Sequence, residues 1–372
     1  MNKKKMLVCI GTRADAIKMC PLYLALKRTE WAEPILLCTG QHREMAGDVL
    51  GFFSDKADVS LDVMKKGQEP HKTAEIVVRE VAEVIRARSP ELVLVHGDTA
   101  SALGCAEAAH SLSVRVAHIE AGLRSGDERD PYPEEIFRKR ISALSTYHLA
   151  PTQKARENLK AEGVEDKYIS LVGNTVTDAV RYALERQDEA LPSVKSLDYP
   201  GGVVLFTLHR RESIEGEKNA AVGIFRALGR LLDAHESMTV LFPIHKNERV
   251  RELFSVSGVS HPRLIVCEPL DYPSLIYALS HSSLVMTDSG GICEEAGYLG
   301  IPTMIIREHT ERTESVESGC ALLTGRDEKA IFNCALELFT DERKRSALRV
   351  RTLAYGNGGV CAKIVEFLKD KI

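Results

Sequence analysis

The chain is poor in aromatic residues, at 6% with a single Trp, and it lacks an excess of either charge. Lys and Arg total 49 against 53 Asp and Glu, for a formal net charge of −4. That balance leaves no electrostatic footprint for nucleic acid and no polybasic stretch for a membrane surface. Nowhere do 18 apolar residues run uninterrupted, and the opening MNKKKMLVCIGTRAD has too short an apolar run for a secretory leader. A cytoplasmic protein without membrane segments is expected. Nine Cys, at 9, 20, 38, 105, 267, 293, 320, 334 and 361, form no C-x-x-C pair and no Cys/His cluster at zinc spacing. Reduced, mostly buried thiols are expected, with neither disulfides nor a metal. Internal repeats and low-complexity segments are absent as well.

What is present is an ordinary globular composition, 44% hydrophobic and 27% charged over 372 residues, long enough for two domains. Short apolar runs alternate with amphipathic stretches. Strands are predicted at 6–11, 34–40, 92–98, 114–121, 147–151 and 168–174, with helices at 18–29, 71–88, 99–111, 134–144 and 152–162. After the polar stretch 188–202 the alternation restarts. Strands are predicted at 203–208, 238–244, 263–269, 283–288 and 302–307, and helices at 217–234, 272–281, 290–299 and 327–339. The segment after GNGG reads as a final helix that returns to the first domain. Continuous apolar strands separated by helices indicate parallel sheets covered on both faces. The fold expected is α/β, two doubly wound domains facing a cleft, one spanning 1–175 plus 357–372 and the other 176–356.

In such sheets ligands gather beyond the carboxyl ends of the strands, so polar residues just after apolar runs are the candidates. GTRADAIK (11–18) opens a helix and places Arg13 and Lys18 to face an anion, although it lacks the dinucleotide and P-loop spacings. HGDT puts Asp98 at one strand end and HIEAGLR puts Glu120 at the next, while PYPEEIFRKR offers Glu134 and Glu135. Each alone reads equally as a helix cap or a first-turn acid. Together they form a crowd of carboxylates in which one holds a proton while another acts as base.

TLHRRE brings His209, Arg210 and Arg211 to a strand end, a pattern suited to phosphate or to a plain surface charge run. TDSGGICEEA runs a strand into Ser289, Gly290, Gly291 and a helix, converging backbone N–H groups and a helix dipole as a diphosphate requires. Glu294 or Glu295, one turn on, is placed to reach ribose hydroxyls. REHTERTE adds Arg307 and Arg312, by themselves a solvated charged loop.

Taken in order, GTRADAIKMCPL, TGQHREM, VHGDT, HIEAGLRSGD, PYPEEIFR, VGNTVTDA, TLHRRE, EPLDY, TDSGGICEEA and RTE resemble the non-hydrolysing UDP-N-acetylglucosamine 2-epimerases over nearly the whole chain. The resemblance implies a GT-B fold and interconversion of UDP-GlcNAc and UDP-ManNAc. The implied route eliminates UDP to 2-acetamidoglucal and adds it back after protonation from the opposite face, without nicotinamide or metal. It further implies that Asp98, Glu120 and Glu134 are the acid/base carboxylates. His209 then matches a catalytic or UDP-contacting histidine, Arg13 a nucleotide-binding arginine, Ser289 and Gly290 diphosphate contacts, and Glu295 the ribose-binding glutamate. Lys18, Arg210, Gly291 and Arg312 are carried as further UDP contacts.

Bacterial members of the family are activated by a second sugar nucleotide. Gln41 matches one of its contacts, Glu44 and His245 are carried with it, and Gly67 stands where an arginine is expected. Other departures are Ala14-Asp15 for Pro-Glu, Cys293 for Gln, Gly297 and Thr313 for Pro, and Leu275 for an aromatic near uracil. A homodimer acting on a UDP-sugar is the partner expectation, with a role in cell-surface polysaccharide supply. Epimerisation of a modified UDP-sugar such as a diacetamido uronic acid, a hydrolysing epimerase, a GT-B glycosyltransferase and a nucleotide-sugar sensor stand as alternatives.

Overall fold

The structure, a computed structural model, describes residues 3–41, 43–53, 56–65, 67–129, 131–199, 202–215 and 220–372, without the side chains of 43–45, 211 and 215. It divides into two units, Met1–Tyr182 with Ala354–Ile372, and Ala183–Leu353. These junctions differ from those expected at 175/176 and 356/357. The reason is local: helix Val176–Leu184 begins inside the first unit, where Asp178 accepts from the Gly359 and Val360 N–H groups at 3.0 and 2.8 Å. That carboxylate caps the last helix, Val360–Lys371, which has no side-chain cap of its own. Its far end is tied down through the Lys371 carbonyl, which accepts from Tyr147 Oη at 3.0 Å.

In the first unit the strands are β1 (Lys4–Ile10), β2 (Ala32–Cys38), β3 (Val59–Ser60), β4 (Leu92–His96), β5 (Arg115–Ile119), β6 (Tyr147–Ala150) and β7 (Ile169–Leu171). All pair in parallel, in the order β3-β2-β1-β4-β5-β6-β7. The second unit holds β8 (Val203–Thr207), β9 (Thr239–Pro243), β10 (Leu264–Cys267), β11 (Leu284–Thr287), β12 (Thr303–Ile305) and β13 (Ala321–Leu323), also parallel, ordered β10-β9-β8-β11-β12-β13. Both orders reverse beside the first strand of the unit, the topological switch point where α/β sheets open a crevice for ligands.

β4 and β8 are buried at every position, as central strands covered on both faces must be. In the first unit, Val77, Val81 and Ile85 of helix Pro70–Arg88 and Leu103 and Ala106 of helix Ala100–Ser111 share one core with Val93 and Val95 of β4. In the second, Phe225, Leu228 and Leu232 pack with Phe206 of β8 and Phe242 of β9. Phe206 and Phe242 meet edge to face, with centroids 4.9 Å apart.

The first helix begins at Arg13, not at 18, because Thr12 caps it in a full capping box with Asp15. Ten of its fifteen residues are buried, polar Asp15 and Lys18 among them, so no clean apolar stripe marks its start. β3 and β13, at two and three residues, fall below the length at which alternation can be read. Helices Arg43–Phe53, Val176–Leu184 and Glu248–Ser257 are likewise additions to the predicted pattern. Residues 217–219 of the helix predicted over 217–234 lie outside the described residues, and it is seen from Ala220. All nine cysteines are free thiols. Among the described residues no helix is long and apolar enough to cross a membrane.

Candidate active site

At the carboxyl edge of the first sheet, β4 and β5 are in register with His96 opposite Ile119, so Asp98 and Glu120 sit in the turns that leave two neighbouring strands. Glu120 has φ +64°, a left-handed conformation that a residue with a Cβ adopts only when its surroundings enforce it. Its carboxylate is buried. Lys18 Nζ donates to its Oε2, as does Asn174 Nδ2 at 2.5 Å, and His96 Nε2 lies 3.6 Å away. On the other side of that imidazole, Nδ1 donates to Asp15 Oδ1 at 3.1 Å. Desolvation works against a charge on His96, but the Glu120 carboxylate and the bond to Asp15 outweigh it and raise its pKa to about 9.

Asp98 is held differently. Both Nη2 and, at 3.1 Å, Nε of Arg138 donate to its Oδ2, and Arg138 Nη1 donates to buried Glu135 at 2.9 Å. Glu135 also accepts from the Ser125 N–H at 3.0 Å, pinning the chain that leads into helix Glu134–Leu144. Glu134 is the first residue of that helix, half-buried beside this network. The crowding expected among the carboxylates is therefore relieved by cations, with Arg138 on Asp98 and Lys18 on Glu120.

Lys18, expected to face an anionic ligand, is buried and spends its ammonium on Glu120, whereas Arg13 sits half-buried at the helix start. His118 packs beneath. Desolvation drops its pKa to about 3, and neutral Nε2–H donates to the Gly97 carbonyl at 2.8 Å, fixing the turn between His96 and Asp98. Gly11 answers a close approach: a Cβ there would lie 2.1 Å from Ser101 Oγ. Gln41 Oε1 accepts from the N–H and Oγ of Ser101 at 3.1 and 2.7 Å, at the start of helix Ala100–Ser111. The side chain of Glu44 lies outside the described residues.

The second unit builds a cationic counterpart at the carboxyl ends of β8, β11 and β12. Asp288, fully buried after β11, accepts from the His209 N–H at 3.1 Å and the Arg210 N–H at 2.8 Å, which fixes the turn after β8. His209 Nδ1 is 3.3 Å from the same carboxylate, yet desolvation holds its pKa below the ordinary histidine value. Its ring stacks on His245, 5.7 Å between centroids, so the histidine carried as a regulatory candidate touches the one carried as catalytic. Glu311 gathers three guanidinium groups: Arg312, Arg210 at 3.2 Å and Arg307 at 2.8 Å. Burial alone would raise its pKa; the three cations instead hold it well below the usual carboxylate range. Arg312 Nε also donates to Glu294 at 3.1 Å.

The solvated loop expected at 307–314 is thus corrected: Arg307, Glu311 and Arg312 are buried and mutually paired. Ser289 caps helix Gly290–Leu299 through Ile292 N–H at 3.5 Å. The two glycines after it differ. A Cβ on Gly290 would press to 3.0 Å from the Arg312 guanidinium, whereas one on Gly291 would meet nothing within 4 Å among the described residues beyond its own stretch of helix. Gly290 is explained by the protein itself; Gly291 is not. Glu295, one turn on, is buried.

The structure therefore groups Asp98, Glu120, Glu134 and Lys18 in the first unit, and His209, Arg210, Ser289, Gly290, Gly291, Arg312 and His245 in the second. Sequence reasoning passed over Asp15, His96, Arg138, Asn174, Asp288 and Glu311. Every one lies within or beside a motif already singled out, such as HGDT or VGNTVTDA, where the pattern alone reads as strand, helix or loop. Among the described residues no cluster of three or more His, Cys, Asp or Glu is arranged to hold a metal ion.

A model of the UDP-N-acetylglucosamine 2-epimerase family matches residues 24–369. The UDP-N-acetylglucosamine 2-epimerase of Escherichia coli K12 is 36% identical over 373 residues, covering 98% of both chains. Among solved structures, the Neisseria meningitidis UDP-GlcNAc 2-epimerase bound to UDP-GlcNAc superposes with a TM-score of 0.93 at 32% identity, over 98% of this chain and 100% of that one. A Staphylococcus aureus protein solved with UDP gives 0.93 at 35%, over 99% and 96%.

Proposed function

Given that the chain belongs to the UDP-N-acetylglucosamine 2-epimerase family and is an isomerase of GT-B fold, we propose that it interconverts UDP-GlcNAc and UDP-ManNAc by eliminating and re-adding UDP. A carboxylate takes the proton from C2 as the C1–O bond to UDP breaks, leaving 2-acetamidoglucal. A second acid returns a proton to the opposite face of C2 while UDP re-forms its bond at C1. The scheme balances internally and draws on no redox or metal partner.

The observation that carries the proposal is Glu120, buried at φ +64° within hydrogen-bond range of Lys18 and Asn174 at the end of β5. Strain of that kind persists only where the surrounding structure over-determines the residue, and it clusters at sites of chemistry. Asp98, on the adjacent strand end, and Glu134 complete the acid/base set. In the second unit the N-terminus of helix Gly290–Leu299 and the guanidinium groups of Arg210 and Arg312 stabilise the departing diphosphate, with His209 as a further UDP contact; Arg13, of the first unit, is assigned to the nucleotide as well. Gly291 fits this reading because its bare backbone allows a phosphate oxygen to approach closely, and Glu295 is assigned to the ribose. We place the enzyme in the cytoplasm as a homodimer supplying ManNAc units for surface polysaccharide, and Gln41, Glu44 and His245 at a regulatory contact.

Incubation with UDP-GlcNAc in deuterated water, followed by NMR, tests the reaction. Deuterium at C2 of newly formed UDP-ManNAc is the expected result. Free ManNAc would mean hydrolysis, and an unchanged substrate in every condition would sink the proposal.

A further inference from the structure

The first unit contains a buried charge array that the reaction scheme leaves unexplained. His96 stands between two carboxylates, with Nδ1 3.1 Å from Asp15 and Nε2 3.6 Å from Glu120, and all three side chains are almost wholly enclosed. Asp15 is immobilised from three further directions, by the Gly11 N–H at 3.1 Å, the Thr12 N–H at 3.0 Å and Thr99 Oγ1 at 3.3 Å. So the imidazole is anchored on one side by a carboxylate fixed to the backbone, while its other nitrogen faces Glu120. The titratable groups around it are Asp15 and Lys18 from helix Arg13–Lys27, Glu120 from the turn after β5, and His118, neutral, from β5. With His96 and Lys18 both cationic, two positive and two negative charges cancel inside the protein. With His96 neutral, one buried negative charge is left uncompensated.

We propose that His96 is a positioning residue whose imidazolium, braced by Asp15, orients the Glu120 carboxylate and holds the charge balance that proton transfer at Glu120 requires. The inference rests on reading Glu120 as a group that exchanges a proton with the substrate. It assigns His96 no contact with the sugar. A neutral His96 would leave Glu120 tied to Lys18 and Asn174 but without its third orienting partner. The raised pKa, about 9, agrees with a ring that stays protonated through neutral pH.

The test compares His96→Gln with wild type using UDP-GlcNAc as the probe. The glutamine fills similar space and keeps a hydrogen-bonding end but cannot carry the charge. Expected are a fall in kcat of about 10²-fold, within the range of acid–base contributions, a KM that stays close to wild type, and loss of the alkaline limb expected of wild type near pH 9. Asp15→Asn provides a second reading. It keeps an acceptor for the backbone N–H groups and removes the bracing charge, so the alkaline limb moves to lower pH.

Stability follows the same proton. A folded pKa near 9 against 6.5 for a free histidine gives a contribution fully present below pH 6.5 and lost as pH rises through 9. The difference in melting temperature between wild type and His96→Gln therefore shrinks across that window. A variant with wild-type kcat and an unmoved alkaline limb overturns the proposal. Should His96→Gln fail to fold, an unmoved limb in Asp15→Asn does so. Absence of turnover by the wild-type enzyme would strike the functional reading instead.

Discussion

The carboxyl edges of the two sheets solve the problem of buried charge in opposite ways. In the first unit, acids are the recurring element, and each is steadied by a cation from elsewhere in the chain: Asp98 by Arg138 and Glu120 by Lys18, both from helices, and Asp15 by His96 at the end of β4. In the second, cations recur: Glu311 draws Arg210, Arg307 and Arg312 together, and Glu294 is a further acceptor for Arg312. On the proposed reaction, the first arrangement keeps the acid/base groups at defined positions. The second keeps three guanidinium groups converged, which suits the diphosphate leaving group of the proposed reaction. Twin parallel sheets can thus be specialised by the sign of the residue chosen at strand ends alone.

The strongest way to break this contrast is at Glu120. Glu120→Gln preserves shape and removes the charge, so turnover should fall by about 10³-fold while UDP binding by calorimetry is kept. Near-normal turnover would mean that the first unit's acids are structural.

Next comes Glu311→Gln, which leaves three guanidinium groups, two of them buried, short of an acceptor. Removing one partner of a buried pair costs about 3–5 kcal/mol, so the melting temperature should fall well below that of wild type and recover in part when UDP is added. A melting temperature within a degree or so of wild type would show that the arginines do not depend on Glu311.

The glycine pair sharpens the comparison further. Gly291→Ala has space in the protein itself and should fold normally while weakening UDP binding by about tenfold, whereas Gly290→Ala pushes on Arg312 and should lower stability as well. Equal UDP affinity in wild type and Gly291→Ala would remove the phosphate from that helix start. The smallest effect is expected at the opposite, amino-terminal end of β1, where Lys4 and Glu91 pair at 2.9 Å with side chains 39% and 40% exposed. Screened by solvent, Glu91→Gln should change stability by under ~1 kcal/mol in a denaturant titration.

Much of the architecture was legible because its causes are local. Runs such as LVLVH and VVLFT declare buried central strands, Ser289 declares a helix start, and polar residues directly after those runs mark where ligands gather. The short edge strands β3 and β13 were not legible, since two or three residues carry no periodicity. Nor was the start of helix Arg13–Lys27, where polar Asp15 and Lys18 break any apolar stripe. At the site the motifs were visible, but their inner logic was not: His96 looked like the end of a strand and Arg312 like surface charge.

The order of residues along the chain settled the α/β alternation, the strand ends and the membership of a family, because periodicity, capping and motif order act over a few residues. It did not settle which charges meet. Lys18 pairs with Glu120 across 102 residues, Arg138 with Asp98 across 40, and His209 with Asp288 across 79. Electrostatic energy depends on distance through space and on how much water is excluded, and both are fixed only when the sheets and helices have packed.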